Sequence, residues 1–172
     1  MGYLIGFNAK AYYLPRLTAG TNTPLVSQPT RAAFPATGIP ATAALLGNIS
    51  DASLSMETEE ADVTTRKGNG WRQKVGTLRS GEIEFTMLWD PADDDFRNVQ
   101  YCFFNQLPFI CGFFDRDPTN ATSGYRIQGL YADFSVLNFT RSEDLTDAIK
   151  AEVKLSVAPS ALSPEWVDRT IA

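Results

Sequence analysis

Apolar and polar residues alternate with a period of two through much of this chain, and no other feature limits its fold as strongly. Successive side chains on a strand point to opposite faces, so such alternation describes a sheet with one buried and one wet side. The clearest stretch is 82–89, where Ile83, Phe85, Met87 and Trp89 share a face opposite Glu82, Glu84 and Thr86. In 125–140, Leu130, Ala132, Phe134 and Val136 alternate with Tyr131, Asp133 and Ser135. In 148–157, Ile149, Ala151, Val153, Leu155 and Val157 alternate with Lys150, Glu152, Lys154 and Ser156. Earlier, 49–57 sets Ala52, Leu54 and Met56 against Asp51, Ser53, Ser55 and Glu57. Tyr3, Ile5, Phe7, Tyr12 and Tyr13 mark a looser strand that ends at Pro15, and the apolar run 109–114 predicts a strand covered on both sides.

Turn chemistry punctuates these strands. Residues 62–66 and 71–75 flank Lys67-Gly68-Asn69-Gly70, where Asn-Gly supplies the positive φ angles of a tight hairpin, so a hairpin is expected over about 58–79. Ser80-Gly81 reads as a second turn. One helix is expected from Asp90-Pro91, with Pro91 in its first turn and Asp93, Asp94 and Asp95 at the positive end of its dipole. Its buried stripe is Phe96, Val99 and Phe103, and Asn105 and Pro108 end it. Residues 15–44 carry Pro24, Pro29, Pro35 and Pro40 among Thr, Ala and Gly, which denies a helix or a central strand and predicts an extended arm or long loop. The reading is mainly β: two packed antiparallel β-sheets, a sandwich or barrel, with one flanking α-helix. At 172 residues it is a single domain, 1–172, carrying the arm and the hairpin.

Chemistry is sparse. The chain has no histidine, so the commonest general base and metal ligand are missing, and no glycine pattern matches a phosphate-cradling loop. Cys102 and Cys111 sit among phenylalanines and read as buried thiols. Asp93-Asp94-Asp95 points around a helical turn and does not converge on one cation. No enzyme activity, metal or cofactor is expected. A net charge of −5 argues against gripping nucleic acid, since grip needs Lys and Arg to displace counterions. No run reaches the length of a membrane span, and the first residues lack the pattern of a signal peptide, so a cytosolic protein without membrane contact is expected.

The order of elements resembles the major tail tube proteins of long-tailed bacteriophages. The residues that carry the resemblance are the acidic strand 49–57, then Asp62-Val63-Thr64-Thr65-Arg66, then Gly70-Trp71-Arg72-Gln73-Lys74-Val75 leading to Gly81, and the amphipathic strand into Asp90-Pro91. In the second half they are Gly129-Leu130-Tyr131-Ala132-Asp133-Phe134-Ser135 and Ala151-Glu152-Val153-Lys154-Leu155-Ser156. The match runs from about Leu46 to Val157. What it implies is a hexameric ring, stacked into a tube around a bore through which DNA passes without sequence-specific binding. It also implies a tape measure protein and other tail proteins as partners, with assembly in the host bacterial cytoplasm and residence in the virion tail. The implied bore lining is Asp51, Ser53, Ser55, Glu57, Glu82, Glu84, Thr86, Asp133, Ser135 and Glu152. The hairpin residues Arg66, Lys67, Trp71 and Arg72 are implied to make contacts between subunits, and so is the segment 15–44. Two other readings stand beside it: the tube of a contractile tail or type VI secretion system, and a monomeric β-sandwich binding module using Trp71, Trp89 and Trp166 as stacking platforms for sugars.

Overall fold

The computed structural model describes residues 9–36, 38–65, 67, 70–120 and 123–170. Tyr3, Ile5 and Phe7 of the first expected strand, and Arg66, Gly68 and Asn69 of the expected hairpin turn, lie outside the described residues. The chain runs β1 (Lys10–Tyr13), β2 (Ala44–Leu45), β3 (Ile49–Asp62), β4 (Lys74–Leu88), α1 (Asp94–Asn105), β5 (Phe109–Phe114), β6 (Arg126–Ser142), β7 (Lys150–Val157) and β8 (Glu165–Thr170). All strand pairings are antiparallel, in the order β2-β1-β5-β6-β7-β4-β3, with β8 also on β6.

The expected two layers are two halves of this one connected sheet, which folds over at β6. The first half of β6 pairs with β5 and β8, and its second half pairs with β7. In a flat sheet β4 and β5 would lie three strand spacings apart, about 14 Å. Instead the rings of Phe85 on β4 and Phe113 on β5 are 6.0 Å apart, so the two layers face each other. The ends of the strand path meet as well, because β2 and β3 are joined by only Leu46, Gly47 and Asn48. The sheet is therefore nearly closed into a barrel.

The alternating residues fill this interior. Ile83, Phe85 and Met87 of β4 meet Ala151, Val153 and Leu155 of β7, and Leu130, Ala132 and Phe134 of β6. Burying each of the larger side chains is worth about 1.5–3 kcal/mol. A second cluster, with Ile110, Phe114, Ile127, Tyr131 and Val167, lies on the other side of the β5–β6–β8 layer, which is why the 109–114 run is apolar throughout.

Two local expectations are corrected. The helix starts at Asp94: Asp90-Pro91-Ala92 forms a preceding turn, and the Asp93 carboxylate caps the helix by accepting from the Phe96 amide at 3.1 Å. Its buried face holds Phe96, Val99 and Cys102, while Phe103 is half-buried against Phe139. Ser80-Gly81 is no turn, because β4 runs straight through it, with Met56 opposite Gly81 and Glu57 opposite Ser80. A Cβ on Gly81 would stand 3.1 Å from Val157 Cγ2, so glycine here answers close packing.

Candidate assembly surface

The face of β3, β4, β7 and the second half of β6 that turns away from the core is mainly polar, with Leu88 exposed at the end of β4. Cross-strand register sets Ser53 beside Glu84 and Lys154, Ser55 beside Glu82 and Ser156, and Thr86 beside Glu152. Ser135 continues the row beyond Ser156, and Thr140 lies beside Glu152. Asp51 and Asn138 line a shallow depression on this face together with Glu84, Glu152 and Lys154. Asp51 sits in a bulge between Ser50 and Ser53 and takes a left-handed φ of 50°, a conformation that Asp tolerates better than most residues. Lys154, one of the two basic residues here, lies 2.9 Å from Glu82 and 3.3 Å from Glu84, so its charge is more than matched. Lys150 is paired with Asp147 at 2.5 Å. The surface stays negative.

Nine of the ten residues expected on this surface are brought together, and Asp133 is not. It shares the strand parity of Ser135, but the chain segment 15–44 crosses over it, and Arg31 Nε donates to Asp133 Oδ2 at 2.7 Å with both side chains buried. That pairing removes it from the polar face. Arg31 also donates to the Leu162 and Ser163 carbonyls.

The same ion pair shows how residues 15–44 lie: they strap across their own domain. Arg16 Nε donates to the Pro108 carbonyl at 2.8 Å, and the Arg16 and Leu17 amides donate to Asn98 Oδ1. Phe34 packs on Phe114 and Tyr131. At the other end, the Asp95 carboxylate accepts from Gly47 (2.7 Å) and Asn48 (3.0 Å) amides and from the Tyr13 hydroxyl (3.1 Å), fastening the short link that closes the barrel. Burial pushes the Asp95 carboxyl above its ordinary range, and burial also raises the Tyr13 hydroxyl.

Both lateral borders of the polar face are open. Along β3, only the edge toward β4 is paired, leaving a strand of 14 residues with an unpaired side among the described residues. On β6 the pairing with β5 stops at Phe134, so, among the described residues, 135–142 have no strand beside them opposite β7. Long open edges are templates for further pairing. Beyond Glu82, β3 and β4 leave the domain as a two-stranded ribbon, paired from Glu57–Ser80 to Asp62–Lys74. It exposes Met56, Leu78 and Val75 without a core to cover them. Lys67, Trp71 and Arg72 stand exposed at its tip, with Trp71 78% exposed.

Cys102 and Cys111 are free and buried, and burial pushes the Cys102 thiol up to about 12, so it stays protonated at neutral pH. No group of three or more metal-ligating side chains converges among the described residues. The three tryptophans do not share a groove: Trp71 is at the ribbon tip, Trp166 lies on β8, and Trp89 packs edge-on against Phe96. No described helix is long and apolar enough to cross a membrane.

No protein-family model matches the chain, and no curated protein sequence matches it. Solved structures do share its fold. The tail of an empty gene transfer agent particle, refined with C6 symmetry, superposes with a TM-score of 0.55 over 74% of this chain and 87% of that one, at 18% identity. A chain of the native gene transfer agent virion matches with a TM-score of 0.55, over 76% and 92% of the two chains, at 16% identity. The SPP1 tail tube, solved by solid-state NMR and electron cryomicroscopy, matches with a TM-score of 0.57 over 98% of this chain and 80% of that one, at 11% identity. The fold is thus that of tail tube structures.

Proposed function

We propose that this chain is the tail tube subunit of a long-tailed, phage-like particle: copies close into rings, rings stack into a tube, and the tube carries a genome. The observation that carries this reading is the four-stranded polar face with an open edge at each border, found in a chain with the tail tube fold. Closed rotation of one copy against the next sets the β3 edge of one beside the β6 135–142 edge of its neighbour, and a closed barrel has no edges left to aggregate. The six-fold symmetry of the gene transfer agent tail supports a ring of six.

In such a ring the polar face turns to the bore, lined by Asp51, Ser53, Ser55, Glu57, Glu82, Glu84, Thr86, Ser135 and Glu152. Carboxylates repel phosphates, and they leave no array of cations for the phosphates to settle on, so DNA slides past such a wall. Before DNA enters, a tape measure protein occupies the same bore. The particle resides as a virion tail, built in the cytoplasm of a bacterial host. Sedimentation velocity across a concentration series tests the association itself. Species many times the 18.9 kDa chain, growing with concentration, are expected. A single monomer boundary at every concentration would sink the proposal.

A further inference from the structure

Behind the open β6 edge, on the side opposite the polar face, a groove of about 550 Å³ runs between residues 135–137 and the C-terminal end of α1. The helix ends there because Gln106 takes a left-handed φ of 53° and turns its amide back to the Cys102 and Phe103 carbonyls. That stop leaves Phe104 at the groove, 68% exposed, while the bulge between Val136 and Asn138 sets Leu137 beside it, 57% exposed. Phe103 anchors this wall by packing on Phe139. Nothing among the described residues covers Phe104 and Leu137, and two large apolar side chains left side by side in water mark a contact surface. The opposite border of the polar face has its own uncovered pair. Leu54 and Met56 lie on the face of β3 away from Ser53, Ser55 and Glu57, and both are exposed because no described strand lies beyond them.

Strand register matches the two borders. Leu54 stands beside Ile83, Ile83 beside Leu155, and Leu155 beside Val136, so Leu54 and Val136 end a single row across four strands. Three antiparallel steps separate β3 from β6, so they run in opposite directions, and rotation about a ring axis preserves this. β3 of one copy therefore meets β6 of the next antiparallel, with Leu54 at the level of Val136 and Leu137. Strand tilt in a closed barrel adds a stagger, and Met56, two residues along on the same face, takes the place of Leu54 when that stagger is two. From this, resting on the tail tube reading, the structure assigns the groove its occupant: Leu54 and Met56 of a second copy seat under Phe104 and against Leu137, so that the core of one subunit continues into the next behind the bore wall. On the bore side β6 presents Ser135, Asn138, Thr140 and Ser142, none of them charged, so the acids of β3 meet no like charge across the junction. The end of α1 then sets the register between subunits. A slip of one residue would turn Leu54 into the bore and Ser53 into the apolar groove.

The test is a cross-link in the full chain. β4 and β7 stand between residues 54 and 137 of one copy, so a disulfide joining those positions joins two copies. Leu54→Cys with Leu137→Cys, and Met56→Cys with Leu137→Cys, one pair for each stagger, are assembled, oxidised and run on a non-reducing gel beside Leu137→Cys alone and the wild type. A ladder of dimers and higher multiples from one of the double variants, absent from the two controls, is expected. Cys102 lines the groove but is only 1% exposed, and a ladder through it would place residue 54 or 56 in the same groove. Phe104→Ala is expected to keep the thermal midpoint within about 4 °C and to cut the rings counted by negative-stain electron microscopy by about tenfold or more, the scale of a buried aromatic anchor. Rings from the wild type, together with two unlinked double variants or with undiminished rings from Phe104→Ala, would overturn this seat and leave the tube reading standing. Absence of rings and tubes from the wild type would overturn both.

Discussion

At the scale of single residues, two buried carboxylates fix the molecule, and each makes its own prediction. Asp133 meets Arg31 away from water, so removing one partner strands a charge. Asp133→Ala is expected to cost about 3 kcal/mol in urea unfolding, and a loss under about 1 kcal/mol would show the pair to be dispensable. Asp95 acts in the opposite sense with pH. Its folded pKa is raised above 3.8, first by desolvation, so between 3.8 and the raised value the folded chain binds more protons than the unfolded one. Its contribution to stability therefore grows as pH falls through that window and shrinks as pH rises through it. The carboxyls of Asp94, Asp117 and Asp168, lowered by their hydrogen bonds, lose stability only below that range. Wild type is expected to gain on Asp95→Asn as pH drops toward 3.8, measured by urea unfolding at each pH. Parallel curves for the two proteins would refute this account of Asp95.

At the scale of elements, the ribbon of β3 and β4 stands clear of the core. It buries no core residue, so replacing residues 59–78 by Asn-Gly, which joins the paired Thr58 and Arg79 through a two-residue turn, is expected to leave the thermal midpoint within about 4 °C. The same protein is expected to form no tubes. A collapse of the midpoint would mean that the ribbon is part of the folding unit. How far such elements could be read in the sequence follows from what determines them. The rows Ile83–Phe85–Met87 and Ala151–Val153–Leu155 were legible because each strand's burial is decided by its own alternation. The helix start was shifted because Asp90 and Asp93 are equally good caps on local grounds, and packing of Phe96 against Trp89 and Phe139 chose between them. The short strand β2 and the terminal strand β8 went unread: two residues carry no period, and Trp166-Val167 is held by pairing with β6 rather than by a pattern of its own.

For the whole molecule, the polar face was legible as a set of residues, but its border was not. Asp133 looks like Ser135 in sequence, and only the path of a distant segment, brought over it by Arg31, takes it off the surface. Long-range crossings of this kind leave no local signal. The barrel, its two open edges and its acidic wall are the observations on which the proposed tail tube role rests. Electron microscopy of the purified protein, negatively stained after concentration and gentle warming, tests that claim most directly. Hollow rings or tubes with a stain-filled bore are predicted, and uniform particles the size of one 18.9 kDa chain at every concentration would contradict it.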